Sequence, residues 1–179
     1  MFAKVENNQV VAANSSKDFF KGSTGIYEVI YNTTNLKDTE FYYNGAETFT
    51  FANDQVTASY APATAKALED RNEVNKEGQP LLDIDGKQVV TKGLKSNHVA
   101  RIKSQAASLL QSTDWYVIRN AESGAAILAN ISTYRAAVRT KSNDMEALIN
   151  AVSSVEQLAA LYVYDKDTKS RPLGDFPRL

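Results

Sequence analysis

Residues 113–139 read TDWYVIRNAESGAAILANISTYRAAVR. The stretch decides the fold of the second half of the chain, because two helical periods meet in it around a glycine. Thr113 precedes an acid and an aromatic–aliphatic run, which is how helices commonly begin. Trp115 and Ile118 lie three apart and share one helical face, and Arg119 and Glu122 lie within pairing reach at the same spacing. Gly124 then stands where a helix stop belongs. A second helix is predicted from about Asn130, where Ile131, Tyr134 and Val138 repeat as an apolar stripe flanked by Arg135 and Arg139. Trp115 is expected to anchor a small core. The arginines are expected to be solvated or paired with Asp114, Glu122 and Glu146.

Working outward, helical periodicity starts at Ser96. Val99, Ile102, Ala106, Leu109 and Leu110 form a stripe, and His98, the only histidine, falls in the first turn as an exposed residue. After the Tyr134 helix, Ser142-Asn143-Asp144 with Glu146 reads as the start of a new helix carrying Met145, Leu148, Ile149 and Val152. Ser153-Ser154 with Gln157 opens a last short helix that buries Leu158 and Leu161. Residues 165–179 are charged, hold two prolines and read as an irregular tail.

The pattern T-D-W-Y-V-I-R-x-x-E-x-G, followed by Y-R-x-x-V-R and S-N-x-M-E, resembles the C-terminal helical region of small tailed-bacteriophage proteins described as tail or tail-fibre assembly proteins. It is carried by Thr113, Asp114, Trp115, Tyr116, Val117, Ile118, Arg119, Glu122, Gly124, Tyr134, Arg135, Arg139, Ser142, Asn143, Met145 and Glu146, within about residues 97–161. The opening MFAKVENNQVV is similar to N-termini of the same kind of protein. Where that family often has a proline before the Y-R helix, this chain has Ile127-Leu128. The resemblance implies a protein that binds a phage tail or tail-fibre protein, in the host cytoplasm during assembly or as a small component kept in the virion tail.

The N-terminal half reads as strands. Asn7-Asn8 predicts a hairpin between Phe2–Val5 and Gln9–Ala12, since Asn tolerates positive φ. Ile26–Tyr31 (IYEVIY) is a strand by composition. Phe41–Phe51 reads as a hairpin centred on Asn44-Gly45. A two-residue loop would set Phe41 opposite Phe49 and Phe51, whereas a three-residue loop gathers all three on one face; a single buried face favours the second. Val56–Tyr60 adds a strand. Ten aromatic residues lie between Phe19 and Tyr60. They are expected to fill the core of a small sheet, with Phe41, Tyr43, Phe49 and Phe51 the candidates to face a partner. Ala61–Asn75 reads as a polar helix from its Ala, Lys, Leu and Glu content. Residues 78–93 form a breakpoint with a hairpin at Asp85-Gly86. Asp83-Ile84-Asp85-Gly86 superficially matches a calcium loop, but its Gly comes two places early and Leu94 stands where the bidentate Glu is needed.

The expected architecture is therefore α+β. A small antiparallel sheet (1–60) leads through a helix and linker (61–95) to about four short helices (96–164) and a tail (165–179). A net charge of −1 argues against a general nucleic-acid binder. The absence of cysteine excludes disulfides and thiolate metal sites. Met1–Ala13 lacks the apolar core of a secretory signal, and no run reaches the ~20 apolar residues of a membrane span. With one histidine, no phosphate-binding glycine loop and scattered acids, no catalytic, metal or cofactor residue can be named, so an enzyme is not expected. Self-association to a homo-oligomer is compatible with so aromatic a small sheet. The contrasting expectation is a nucleic-acid-binding or regulatory helical module with Arg119, Arg135 and Arg139 on phosphates.

Overall fold

The computed structural model describes residues 1–179, and the chain divides into two compact units, Met1–Lys66 and Ala67–Leu179. The class is α+β: a five-stranded sheet lies in the first unit and four helices in the second.

In the first unit β1 (Phe2–Glu6) and β2 (Gln9–Asn14) form the expected hairpin, with Asn7 and Asn8 at φ 51° and 61°. β3 (Ile26–Asn32) pairs antiparallel with β1. A short pair, β4 (Tyr42–Tyr43) with β7 (Thr64–Ala65), stands apart from the main sheet. β5 (Glu47–Ala52) and β6 (Gln55–Tyr60) make a second hairpin. The order is β2-β1-β3-β6-β5, and β3 runs parallel to β6, so the sheet is mixed rather than wholly antiparallel. Period-two alternation puts Ala3, Val29, Val56 and Ala58 at the centre of one face, with Val5, Val10, Tyr27, Phe49 and Phe51 around them.

The second hairpin turns at Asn53-Asp54 (φ 50° and 59°), not at Asn44-Gly45. Two consecutive left-handed residues match the twist of the strands they join, which a turn at Asn44-Gly45 does not supply here. Gly45 lies so close to the Ala61 backbone that a Cβ there would collide with it. Phe49 and Phe51 do share a face, but Phe41 lies outside this hairpin, just before β4, and is buried.

Ala61–Asn75 is not a helix. It contains β7, and then β8 (Arg71–Asn72), which pairs with β9 (Val90–Thr91). Helix propensity loses to tertiary bonding here, because the backbone of this segment serves other elements. The carbonyls of Ala67 and Leu68 accept from Leu94 and Lys95, the first N–H groups of α1 (Leu94–Gln111). The Asp70 carboxylate accepts from the Gly93 N–H (2.9 Å) and from Lys92 Nζ (2.7 Å). Gly93 is close-packed on the Leu68–Glu69 backbone, where no side chain fits.

Between β8 and β9 the chain makes two turns of the same construction. The Asn75 Oδ1 accepts from the N–H groups of Glu77 and Gln79; eight residues on, the Asp83 Oδ1 accepts from those of Asp85 and Lys87. Gly78 and Gly86 occupy the equivalent positive-φ position. Glu73, Leu81 and Val89 close a ring of backbone bonds, Leu81 donating to Glu73, Val89 to Leu81 and Glu73 to Val89. The Gln88 side-chain amide lies 2.7, 3.1 and 3.0 Å from those three carbonyl oxygens. Of this arrangement the Asp85-Gly86 turn is the predicted part, and the eight-residue repeat is new.

α2 (Asp114–Ser123) ends at Gly124, whose φ of 70° and N–H bond to Asn120 make the left-handed cap that the sequence predicts. α3 (Ala129–Ala151) fuses the two helices expected on either side of Ser142. Ser142 is buried and its hydroxyl donates to Glu146, so the would-be cap lies inside a continuous helix. α4 (Val155–Ala160) begins as predicted: the Ser154 hydroxyl accepts from the Gln157 N–H, and the Gln157 side chain accepts from Ser153. α1 packs along α3, with Ile102 and Ala106 on one helix and Tyr134, Val138 and Met145 on the other in the core. The irregular tail docks through Leu173 and Phe176.

Asn53→Val, which puts a β-branched residue at positive φ, should cost about 1–2 kcal/mol in thermal or urea unfolding. A second outcome concerns acid. Hydrogen bonds from Lys92, Ser96 and Gly93 hold the Asp70 carboxyl down at about 2, against an ordinary 3.8. The stabilisation they give is complete above pH 3.8 and is lost as pH falls through about 2. In Asp70→Asn, urea midpoints measured from neutral to acid pH should start lower and fall less over that window.

Candidate interaction surface

The expected site residues fall into two groups once folded. Arg135 is 7% exposed on α3. Its Nη1 reaches the Leu110 carbonyl (2.9 Å), the Thr113 hydroxyl (2.7 Å) and the Asp114 carboxylate (2.8 Å). All three acceptors sit in the turn joining α1 to α2, so this guanidinium fixes the turn to α3. Thr113, itself buried, donates its own hydroxyl to the Leu110 carbonyl. The expected Asp114 pairing is therefore present, and Tyr134 is core. Arg139 is exposed one turn further on.

α2 is different, since no residue of it is buried. Trp115 is 51% exposed, so it does not anchor a core. Its ring lies 4.5 Å from that of Tyr116, and the Arg119 guanidinium covers both, at 4.7 and 5.8 Å from the two centroids. A cation held over aromatic faces is attracted by their quadrupoles. Arg119 makes no ion pair with Glu122, which stays exposed; its Nε is enclosed without a hydrogen-bond partner. Trp115, Ile118, Arg119 and Glu122 thus form an i, i+3, i+4, i+7 stripe on a helix with nothing packed over it.

The four aromatic partner candidates separate as well. Phe41 is 3% exposed and unavailable to a partner, its carbonyl accepting from Lys66. Tyr43 is exposed, with Lys66 Nζ 5.3 Å over its ring. Phe49 and Phe51 are half-buried, and they line a groove of about 420 Å³ with Asn8, Gln9, Val10 and Thr50 between strands β2 and β5.

His98 is not an exposed turn residue: it is 3% exposed. Its Nδ1 lies 2.8 Å from Arg101 Nη2 and 2.7 Å from the Tyr162 hydroxyl. Arginine can only donate, so Nδ1 is the acceptor and the ring proton belongs on Nε2. A polar residue in the first turn gave no sign of this partner sixty-four residues away. Sequence reading also missed the aliphatic surface of the repeat, where Val74, Leu81 and Leu82 are exposed and Ile84, at 101%, stands wholly in solvent.

The large hydrophobic side chains left exposed include Tyr43 in the first unit and Trp115, Ile118, Val74, Leu81, Leu82 and Ile84 in the second. No helix is long and apolar enough to cross a membrane. Compared with protein-family models, curated proteins and solved structures, the chain gives no significant match.

Removing the Arg135 guanidinium takes one charged donor from the Leu110 carbonyl and the Thr113 hydroxyl, which keep their bond to each other, and releases Asp114. Arg135→Met should therefore cost about 1–3 kcal/mol in urea unfolding, while Arg139→Ala stays within about 0.5 kcal/mol of the parent. Arg135→Lys should recover part of the loss, because all three acceptors are met by the one nitrogen Nη1 and an ammonium carries three donors.

Proposed function

We propose that this chain is a non-enzymatic bacteriophage tail-associated protein that works by binding another protein, in tail or tail-fibre assembly. The resemblance of residues 97–161 to that family supplies the setting. The observation that carries the binding role is the surface left uncovered: Trp115 and Ile118 on α2, Tyr43 beside β7, and the aliphatic residues of the 73–91 repeat. Burying such surface is the dominant favourable contribution to most protein–protein association. In the chaperone-like form the protein covers a tail or tail-fibre protein in the host cytoplasm and then leaves. In the alternative form it remains as a small structural component of the virion.

Nucleic-acid binding through Arg119, Arg135 and Arg139 has less support. Arg135 is spent inside the helical unit and Arg119 is laid over Trp115, which leaves Arg139 as the one exposed member of the three. Phosphate recognition depends on several cations acting together.

Quantitative mass spectrometry of infected-cell lysate against purified virions tests the proposal. Abundance in lysate and absence from particles is the result expected for assembly. A fixed, symmetry-compatible copy number per particle would overturn the transient role in favour of the structural one. Absence from both the particle and any complex with a tail or fibre protein would overturn the tail assignment itself.

A further inference from the structure

We infer that His98 is the proton-sensitive part of a latch that fastens the C-terminal segment of the second unit to α1, and that acid opens it. The segment from Val155 onward puts Val155, Leu158 and Leu173 into the core. Two main-chain bonds gather it around Tyr162: Tyr162 donates to Ala159 near the end of α4, and Leu173 donates to Leu161. The Tyr162 hydroxyl crosses to α1, where it lies 2.7 Å from His98 Nδ1, with the two rings 4.9 Å apart. Arg101, one turn on from His98, brings Nη2 to 2.8 Å from the same nitrogen and holds its guanidinium 5.3 Å over the Tyr162 ring. With the ring proton on Nε2, both groups donate to one lone pair, which joins helix, cation and tyrosine.

That joint works only with a neutral ring. A proton on Nδ1 sets an N–H against the Arg101 N–H that points at it, and puts two cations side by side where His98 is 3% exposed. Burial and a neighbouring cation both act against the imidazolium. Charges on the neighbouring elements are few. On α1, Lys95 stands a turn before His98 and is paired with Glu69. Lys103 pairs with Glu146, which sets the start of α1 against the end of α3, and Ala147–Ala151 there carries no charge. α4 has one carboxylate, Glu156, in its first turn. The proton is therefore taken up by the open form, in which water reaches the ring. The closed form keeps its full stability above the ordinary histidine value of about 6.5 and loses it as pH falls below. This window lies apart from that of Asp70, which begins at pH 3.8. His98 is the only histidine in the chain, so no other side chain of ordinary titration range answers within it.

The test uses the full chain. Proton NMR of the imidazole C–H signals, which a single histidine gives without overlap, should place the titration midpoint about one unit or more below 6.5. Hydrogen exchange, corrected for the intrinsic effect of pH, should show the amides of Leu161, Tyr162 and Leu173 losing about tenfold in protection between about pH 7.5 and 5, while those of α3 and of the sheet hold theirs. In His98→Asn, whose side-chain oxygen accepts near the Nδ1 position and takes no proton, that loss should disappear. Tyr162→Phe, which keeps the ring and removes the hydroxyl, should lower the protection of the same amides at neutral pH. A midpoint that is not displaced downward overturns the inference, since the imidazolium is then accommodated where it stands, by Tyr162 or by Glu156. Protection that stays constant over this range overturns it because nothing is released. Protection that falls equally in α3 overturns it because the unit then opens as a whole. None of these readings involves a tail or fibre protein, so the tail assignment stands or falls separately.

Discussion

A guanidinium drawn into a helical interior has to be given acceptors, and Arg135 finds all of its acceptors in one turn of chain. The Leu110 carbonyl, the Thr113 hydroxyl and the Asp114 carboxylate lie within 2.9 Å of a single nitrogen. This sets where α1 ends, where α2 begins and how both meet α3. The α1–α3 pair supplies most of the buried apolar residues of the second unit; Arg135 supplies the orientation of α2. Because α2 is held by its first turn and not by its side, its length projects as a surface. The uncovered stripe is thus a result of where the one buried cation is placed.

How far this was legible in the sequence depends on how local the cause was. The Asn7-Asn8 hairpin, the Gly124 cap and the Ser154–Gln157 box are decided within four residues, and each is where the residues say it is. Sequence and structure part where a distant partner decides the outcome. Ala61–Asn75 has helical composition, but its carbonyls and Asp70 serve the start of α1. Ser142-Asn143-Asp144 has capping chemistry, but the buried face runs from Tyr134 through Ser142 itself to Ile149 and the helix continues through it. For the second hairpin, two turn signals stand nine residues apart, and composition ranks Asn-Gly above Asn-Asp; strand pairing ranks them the other way.

The candidate site is visible in the sequence as a set of residues and not as an arrangement. Trp115, Arg119, Glu122 and Arg135 stand out, yet the natural assumption for a lone tryptophan is burial, and the natural assumption for Arg and Glu at i, i+3 is a pair. The pair is lost because Arg119 takes the ring face instead of the carboxylate, and the tryptophan is exposed because α2 is held by its first turn and not by its side. Phe41 reverses the other way, a partner candidate that the first unit buries for itself. The eight-residue repeat has a readable signal in Asn75…Gly78 and Asp83…Gly86, an Asx residue three before a glycine, twice at a spacing of eight.

That repeat has a further consequence. Glu73, Leu81 and Val89 each give their N–H and their C=O to one another, so the three segments form a closed ring. Strands that stop short of closure leave a row of unsatisfied groups onto which another chain can polymerise. Here the hydrophobic side chains of Val74, Leu82 and Ile84 are shown to solvent, while at the level of Glu73, Leu81 and Val89 the main chain has spent its donors and acceptors on itself. At that level another chain can be recognised through side chains and not by adding a strand.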